Sequence, residues 1–446
     1  MTGQPPSTAD RRPLRIALLS YRGDPFCGGQ GVYVRHLSRE LARLGHHVDV
    51  IGAQPYPVLD EVEGPGSVRL VELPSLDLYR AEDPFRTPAF AELRGVVDAL
   101  EVATMWTGGF PEPLTFSLRA RQYLARHRGR YDVVHDNQTL GYGLLGLARH
   151  GFPLVTTIHH PITVDRQLEL DAATTRAQRL SKRRWYAFTR MQRRVTARLD
   201  RIITVSGSSK AEIIRDLGAA AGSVSVVPIG ADTRLWSPDE RVPVVPGRIV
   251  ATSSADVPLK GLVHLVEALA KVRTEREAHL VVVCKKQGEG PVADAVRRFG
   301  LEPHIEFRTG LTDAELVDLY RSAEVACVPS LYEGFSLPAA EAMATATPLV
   351  ATTGGAIPEV AGPDGESCLA VPPGDAGALA GALGRLLDDA GLRARLGAAG
   401  RERVLAHFTW ERAAELTAER YRAAIASGAG RRARSGPGWR YTTDPS

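Results

Sequence analysis

Short runs of apolar residues alternate along the chain with stretches whose apolar positions recur every three or four residues, which is how a parallel sheet covered by helices is written in sequence. The runs predict strands over Leu14–Ser20, His47–Gly52, Asp132–His135, Leu154–Ile158 and Arg201–Val205. A second series follows over Arg248–Thr252, His279–Cys284, Ile305–Arg308, Val325–Pro329 and Leu349–Ala351. The breaker-rich stretch Pro228–Gly247 separates them, so the expected fold class is α/β: two Rossmann-like domains facing each other across a cleft, over 14–228 and 229–407. Residues 1–13 and 427–446 carry no apolar period and read as flexible ends. The helical stretch Trp410–Ile425 either closes the second domain or crosses back to the first.

At 446 residues the chain exceeds what one core supports, and 44% apolar with 24% charged residues excludes a disordered or fibrous chain. The formal net charge of +4 makes no case for nucleic acid. Cys27, Cys284, Cys327 and Cys368 are scattered, without metal-ligand spacing, which fits a reducing compartment. No run reaches the length of a spanning helix, so a cytoplasmic protein is expected, with any membrane association peripheral.

Candidate chemistry sits where strands end. After the first strand, Gly28, Gly29 and Gly31 open a helix with Val34, Leu37, Leu41 and Leu44 on its apolar face. Such glycines let backbone amides approach an anion at a helix N-terminus, and they serve a tight turn equally well. A dinucleotide fingerprint requires a third glycine where Val34 stands, which disfavours a dehydrogenase. His159 and His160 follow the run LVTTI, at a strand end that delivers side chains to a site; a satisfied loop histidine fits the same position. In PSLYEGFSLPAAEAMATATPLVATTGGAIPEV, Glu333 and Glu341 stand eight apart. With Pro338 opening a helix, Glu341 falls in its first turn, and both carboxylates can face one pocket. Carboxylates accept from hydroxyls and the amides of Gly334, Phe335, Ser336 and Leu337 suit a phosphate, so the stretch matches a sugar nucleotide.

Taken together these residues resemble the family 4 retaining glycosyltransferases of GT-B architecture, over most of residues 14–425. The E-x7-E pattern is matched by Glu333 and Glu341; the glycine loop, His159, VSGSSK at 205–210, VVPIGADTRLWSP and the closing FTWERAAELTAERY are also similar. The resemblance implies a nucleotide-sugar donor on the second domain, an unidentified acceptor on the first, retention of anomeric configuration and no metal cofactor. It assigns Glu333 to the transferred sugar, Glu341 to the ribose, Gly334 to Leu337 and Gly28, Gly29 and Gly31 to sugar and phosphates, and His159 to the reacting carbon. It also brings the helix at 408–425 back to the first domain. One departure stands out: where the family presents an Arg and a Lys to the diphosphate, this chain has Ala255 and Lys260, with Lys285 and Lys286 as substitutes.

Between Ala172 and Leu199 lie nine Lys or Arg and no acid, with Trp185, Phe188, Met191, Val195 and Leu199 at helical steps. An amphipathic cationic helix suits anionic lipid or a phosphorylated acceptor, and it suits a helix packed on its domain with solvated arginines. A nucleotide-sugar epimerase or hydrolase of the same fold, or a sugar-nucleotide-binding scaffold, are the alternative functions.

Overall fold

The structure is a computed structural model that describes residues 12–23, 29–80, 82–253, 257–284 and 288–434. Two compact units divide the chain. One draws on Met1–Thr204, Lys210–Val227 and Ala414–Ser446, the other on Val205–Ser209 and Pro228–Ala413.

In the first unit the strands are β1 (Arg15–Ser20), β2 (His47–Gly52), β3 (Ser67–Glu72), β4 (Val133–Asn137), β5 (Leu154–Thr157), β6 (Ile202–Thr204) and β7 (Val224–Val226). They form one parallel sheet in the order β3-β2-β1-β4-β5-β6-β7. The reversal of order beside β1 and β4 is where an open sheet binds ligands, beyond the strands' carboxyl ends. The second unit carries β8 (Val245–Thr252), β9 (His279–Val283), β10 (Ile305–Arg308), β11 (Ala323–Val328), β12 (Leu349–Thr352) and β13 (Leu369–Val371). These are parallel in the order β10-β9-β8-β11-β12-β13, with the switch between β8 and β11. Two doubly wound α/β sheets are therefore present, each with its own apolar core.

β3, β7 and β13 are strands the apolar runs did not predict, and each lies at a sheet edge. An edge strand is solvated along one side, so it needs little apolar sequence; β3 has no fully buried position. Leu44 falls beyond the helix Gly29–Arg43 and is exposed, while Val34, Leu37 and Leu41 are buried.

The basic stretch is two helices, Arg176–Trp185 and Phe188–Thr196, rather than one. Met191, Val195 and Leu199 are buried in the first unit's core, with Phe188 packed against it. From Phe188 onward the apolar stripe is thus packed on the domain and not free for a bilayer, while the arginines on the opposite face remain solvated. No helix among the described residues is long and apolar enough to cross a membrane. The last helix, Trp410–Arg434, runs past Ile425, so residues 427–434 are helical where a flexible tail was expected. Its alanines and arginines favour the helix enough to carry it through two glycines. Tyr421 of that helix is fully buried in the first unit and pairs with His135 Nδ1 at 2.6 Å.

Candidate active site

Beyond the carboxyl ends of β8, β11 and β12, three connections of the second unit meet. After β8 a 3-10 turn, Pro258–Lys260, leads through Gly261 into the helix Leu262–Val272. After β11 come Ser330 to Ser336 and the helix Leu337–Ala344; after β12 comes the Gly354-Gly355 turn. Backbone bonds knit them together: Leu331 N donates to Leu259 O at 2.7 Å and Ala356 N to Glu333 O at 2.9 Å. The approach is close enough to require glycine. A Cβ on Gly261 would lie 2.0 Å from Pro329 O, and one on Gly355, at φ 63°, would lie 2.4 Å from Glu333 O.

That packing fixes the Glu333 carboxylate. Its Oε1 accepts from Lys260 Nζ at 2.8 Å and from Ser330 Oγ at 2.7 Å. Next to it, Ser336 adopts φ 93°, unusual for a residue other than glycine, and its buried hydroxyl has no partner among the described residues. The carbonyl of Gly334 accepts from Ser206 Oγ at 2.7 Å and Ser209 Oγ at 3.2 Å, and the Phe335 ring packs edge-on against Phe408. The amides of Gly334, Phe335, Ser336 and Leu337 make no hydrogen bond among the described residues. Unspent amides around a left-handed residue at a helix start form an anion nest.

Glu341 lies in the second turn, not the first, because the helix begins at Leu337, one residue before Pro338. Its surroundings differ from those of Glu333: it stands close to Tyr320, and burial pushes its carboxyl up to about 7.

In the first unit the histidine site is built from β4 and β5. His159 follows β5; its backbone N donates to Gln138 Oε1 at 2.7 Å, and its Nε2 lies 2.8 Å from Asn137 Oδ1. Asn137 Nδ2 in turn donates to Gln30 O at 3.4 Å, tying His159 to the glycine-rich helix start. Since an amide oxygen only accepts, Nε2 carries the proton and Nδ1 is left as an acceptor. Burial holds the ring neutral, its pKa pushed down to about 3, and Tyr33 packs edge-on against it at 4.7 Å. His160 instead faces Asp165, 3.4 Å away.

Glu333, Lys260 and the 334–337 amides are thus adjacent in one unit, and His159 is joined to the start of the Gly29 helix in the other. Gly31 is buried in that helix. Gly29 is exposed, and a Cβ there would meet no atom of the described residues within 4 Å. Gly28, Ala255, Lys285 and Lys286 lie outside the described residues. Sequence reasoning missed Ser330, Asn137 and Gln138. None of the three carries a sequence signal; Gln138 stands out only in the structure, by its φ of 55° right after a buried strand. It also missed Glu359, whose carboxylate accepts from the amides of Gly207 at 2.7 Å and Ser208 at 2.8 Å, holding Val205–Ser209 in the second unit. Among the described residues no three His, Cys, Asp or Glu side chains converge on a point that would hold a metal ion.

Residues 27–235 match the model of Glycosyltransferase Family 4, and residues 246–389 that of Glycosyl transferases group 1. The chain is 52% identical to an MMP alpha-(1->4)-mannosyltransferase of Mycolicibacterium hassiacum, over 93% of this chain and 99% of that protein. It is 30% identical to a D-inositol 3-phosphate glycosyltransferase of Streptomyces bingchenggensis, over 93% of this chain and 90% of that one. Among solved structures, sucrose-phosphate synthase from Thermosynechococcus elongatus superposes with a TM-score of 0.69 at 27% identity, covering 93% of this chain and all of that one.

Proposed function

This chain belongs to glycosyltransferase family 4 and is a glycosyltransferase, and on that footing we propose that it transfers mannose from a nucleoside-diphosphate sugar to a saccharide hydroxyl, with retention and without a metal. The observation that carries the proposal is the Glu333 carboxylate, held by Lys260 and Ser330 beside four unspent backbone amides. A carboxylate suits sugar hydroxyls, while amides and an ammonium suit a diphosphate, and a sugar nucleotide presents both side by side.

Charge builds on the departing diphosphate as the glycosidic bond breaks. Lys260 has three N–H donors and gives one to Glu333, so two are left for phosphate oxygens. The nest at 334–337 adds fixed dipoles that need no reorganisation during the reaction, which is where most of the acceleration arises. His159, neutral and with Nδ1 accepting, orients a hydroxyl of the transferred sugar rather than titrating near neutrality. Glu341 contributes to the ribose end of the same donor. Mannose and the saccharide acceptor are taken from the mannosyltransferase relative.

The test is a panel of nucleoside-diphosphate sugars offered to the purified chain with mannooligosaccharide, in excess EDTA, with the product anomer read by NMR. The expected result is α-linked product from an α-linked mannosyl donor at undiminished rate. Inverted product, metal-reversible loss of turnover, or donor consumption that ignores the acceptor each defeats a stated part of the proposal.

A further inference from the structure

A second cluster in the first unit lies close to His159 and takes no part in the reading above. Tyr21 and Arg22 directly follow β1. Tyr21 shares a side-chain hydrogen bond with Gln30, whose carbonyl accepts from Asn137, the residue that holds His159. Beside Tyr21 stands Glu112, the first residue of the helix Glu112–Arg126, its side chain only 9% exposed. Glu112 Oε2 is 3.0 Å from Arg22 Nε, yet the two are misaligned, and among the described residues neither of these buried atoms has a hydrogen bond. Buried polar atoms left in this state are unfavourable until a further group completes them.

Next to this pair is an aromatic wall. Ring centroids of Tyr79 and Phe110 are 5.4 Å apart, of Tyr79 and Trp185 5.5 Å, and of Phe110 and Trp185 5.1 Å. Phe85, 59% exposed, extends the wall 5.3 Å from Tyr79. Glu112 is near enough to Tyr79 for its charge to oppose ionisation of the Tyr79 hydroxyl. A pyranose has one apolar C–H face and a rim of hydroxyls, so an aromatic surface meeting an incompletely bonded carboxyl and guanidinium complements it.

The local charge speaks against a phosphorylated ligand. Arg119 is already held by Asp98 and Glu101, and Asp77 adds a negative charge to the surroundings of Glu112, so both features disfavour a phosphate there. Burial also pushes the Glu112 carboxyl up to about 8, so at neutral pH it can donate to a hydroxyl as well as accept.

We propose that Arg22, Tyr79, Glu112 and Trp185 form the acceptor subsite, and that it takes a neutral saccharide ring rather than a phosphorylated polyol. The proposal rests on the reading of this chain as a transferase to a saccharide. Saturation-transfer NMR on the full chain, without donor, tests it through binding alone. α-(1->4)-Linked mannobiose, the linkage of the mannosyltransferase relative, is compared with D-inositol 3-phosphate. Mannobiose is expected to show transfer that Trp185→Ala and Glu112→Ala abolish, and inositol phosphate to show none. In steady-state assays both variants should raise the acceptor KM about tenfold or more, leaving donor KM and kcat within about twofold, with Trp185→Phe recovering most of the loss. Unchanged mannobiose binding in both variants, a donor KM that rises as much as the acceptor KM, or binding of inositol phosphate in place of mannobiose would overturn the subsite. Absence of mannosyl transfer by the parent would sink the function proposed above, while the binding measurement still decides the subsite.

Discussion

Glu333 and Lys260 make the most direct tests at the scale of single residues. Glu333→Gln keeps the shape of the side chain and removes the charge that Lys260 and Ser330 hold in place. Turnover at saturating donor should fall about 100-fold or more, with little change in Tm, because the interaction strengthens as charge develops. Near-parental turnover would remove Glu333 from the reaction. Lys260→Ala should weaken nucleoside diphosphate far more than nucleoside in calorimetric titration, since the ammonium acts on phosphate oxygens; equal losses would deny it that role. Glu333 was legible in sequence because a strand end followed by a glycine and a helix start is a local pattern, whereas Lys260 was legible only through the family resemblance. Ser330, Asn137 and Gln138 were not, for their importance lies in hydrogen bonds to residues on other connections.

At the scale of elements, two glycines separate structure from function. Gly355 sits at φ 63° with the Glu333 carbonyl where a Cβ would go, so Gly355→Ala should cost about 1–2 kcal/mol or more in urea unfolding and lose donor affinity with it. No atom of the described residues crowds Gly29, so Gly29→Ala should leave the urea midpoint unchanged while lowering turnover if the helix start meets the donor phosphates. A stable, fully active Gly29→Ala variant would reduce that glycine to a turn residue. Interior strands such as β1, β4, β8 and β11 could be read from their apolar runs, whereas of the four edge strands only β10 could and β3, β7 and β13 could not. One face of an edge strand is already satisfied by water and short length, so its sequence is under weak constraint. The basic stretch failed differently: its apolar period was right, but period alone does not say what the stripe packs against.

For the whole molecule, buried titrating groups set how stability follows pH. Burial lowers His46 to about 4 and His135 and His159 to about 3, and raises Glu341 to about 7 and Glu112 to about 8. Below an unfolded value of 6.5 the histidines take up protons on unfolding, so they make stability rise with pH up to there. The two glutamates, at 4.5 when unfolded, hold protons only in the folded chain, so they make stability fall as pH rises towards 8. The opposing effects overlap below 6.5, and above it only the glutamates among these five act. Tm should therefore decline between about pH 6.5 and 8, by up to about 1.4 kcal/mol of stability per pH unit for each proton, and Glu112→Gln should flatten the upper part of that decline. An unaltered slope in the variant would mean that Glu112 ionises freely. The solvated arginines allow one further expectation: anionic vesicles should sediment the protein only at low salt, because the apolar stripe is buried and surface charge is screened beyond about 8 Å at physiological ionic strength. Retention on vesicles at high salt would contradict that burial. By itself the sequence determined the two α/β domains, their order and the residues at the interior strand ends, since these follow from apolar period and from glycines near their carboxyl ends. Tertiary structure alone decided the rest. Lys260 turns to Glu333, His159 is held neutral by Asn137 and burial, and Tyr421 reaches His135 across most of the chain. Hydrogen-bond partners and desolvation belong to distances in space, and no spacing along the chain encodes them.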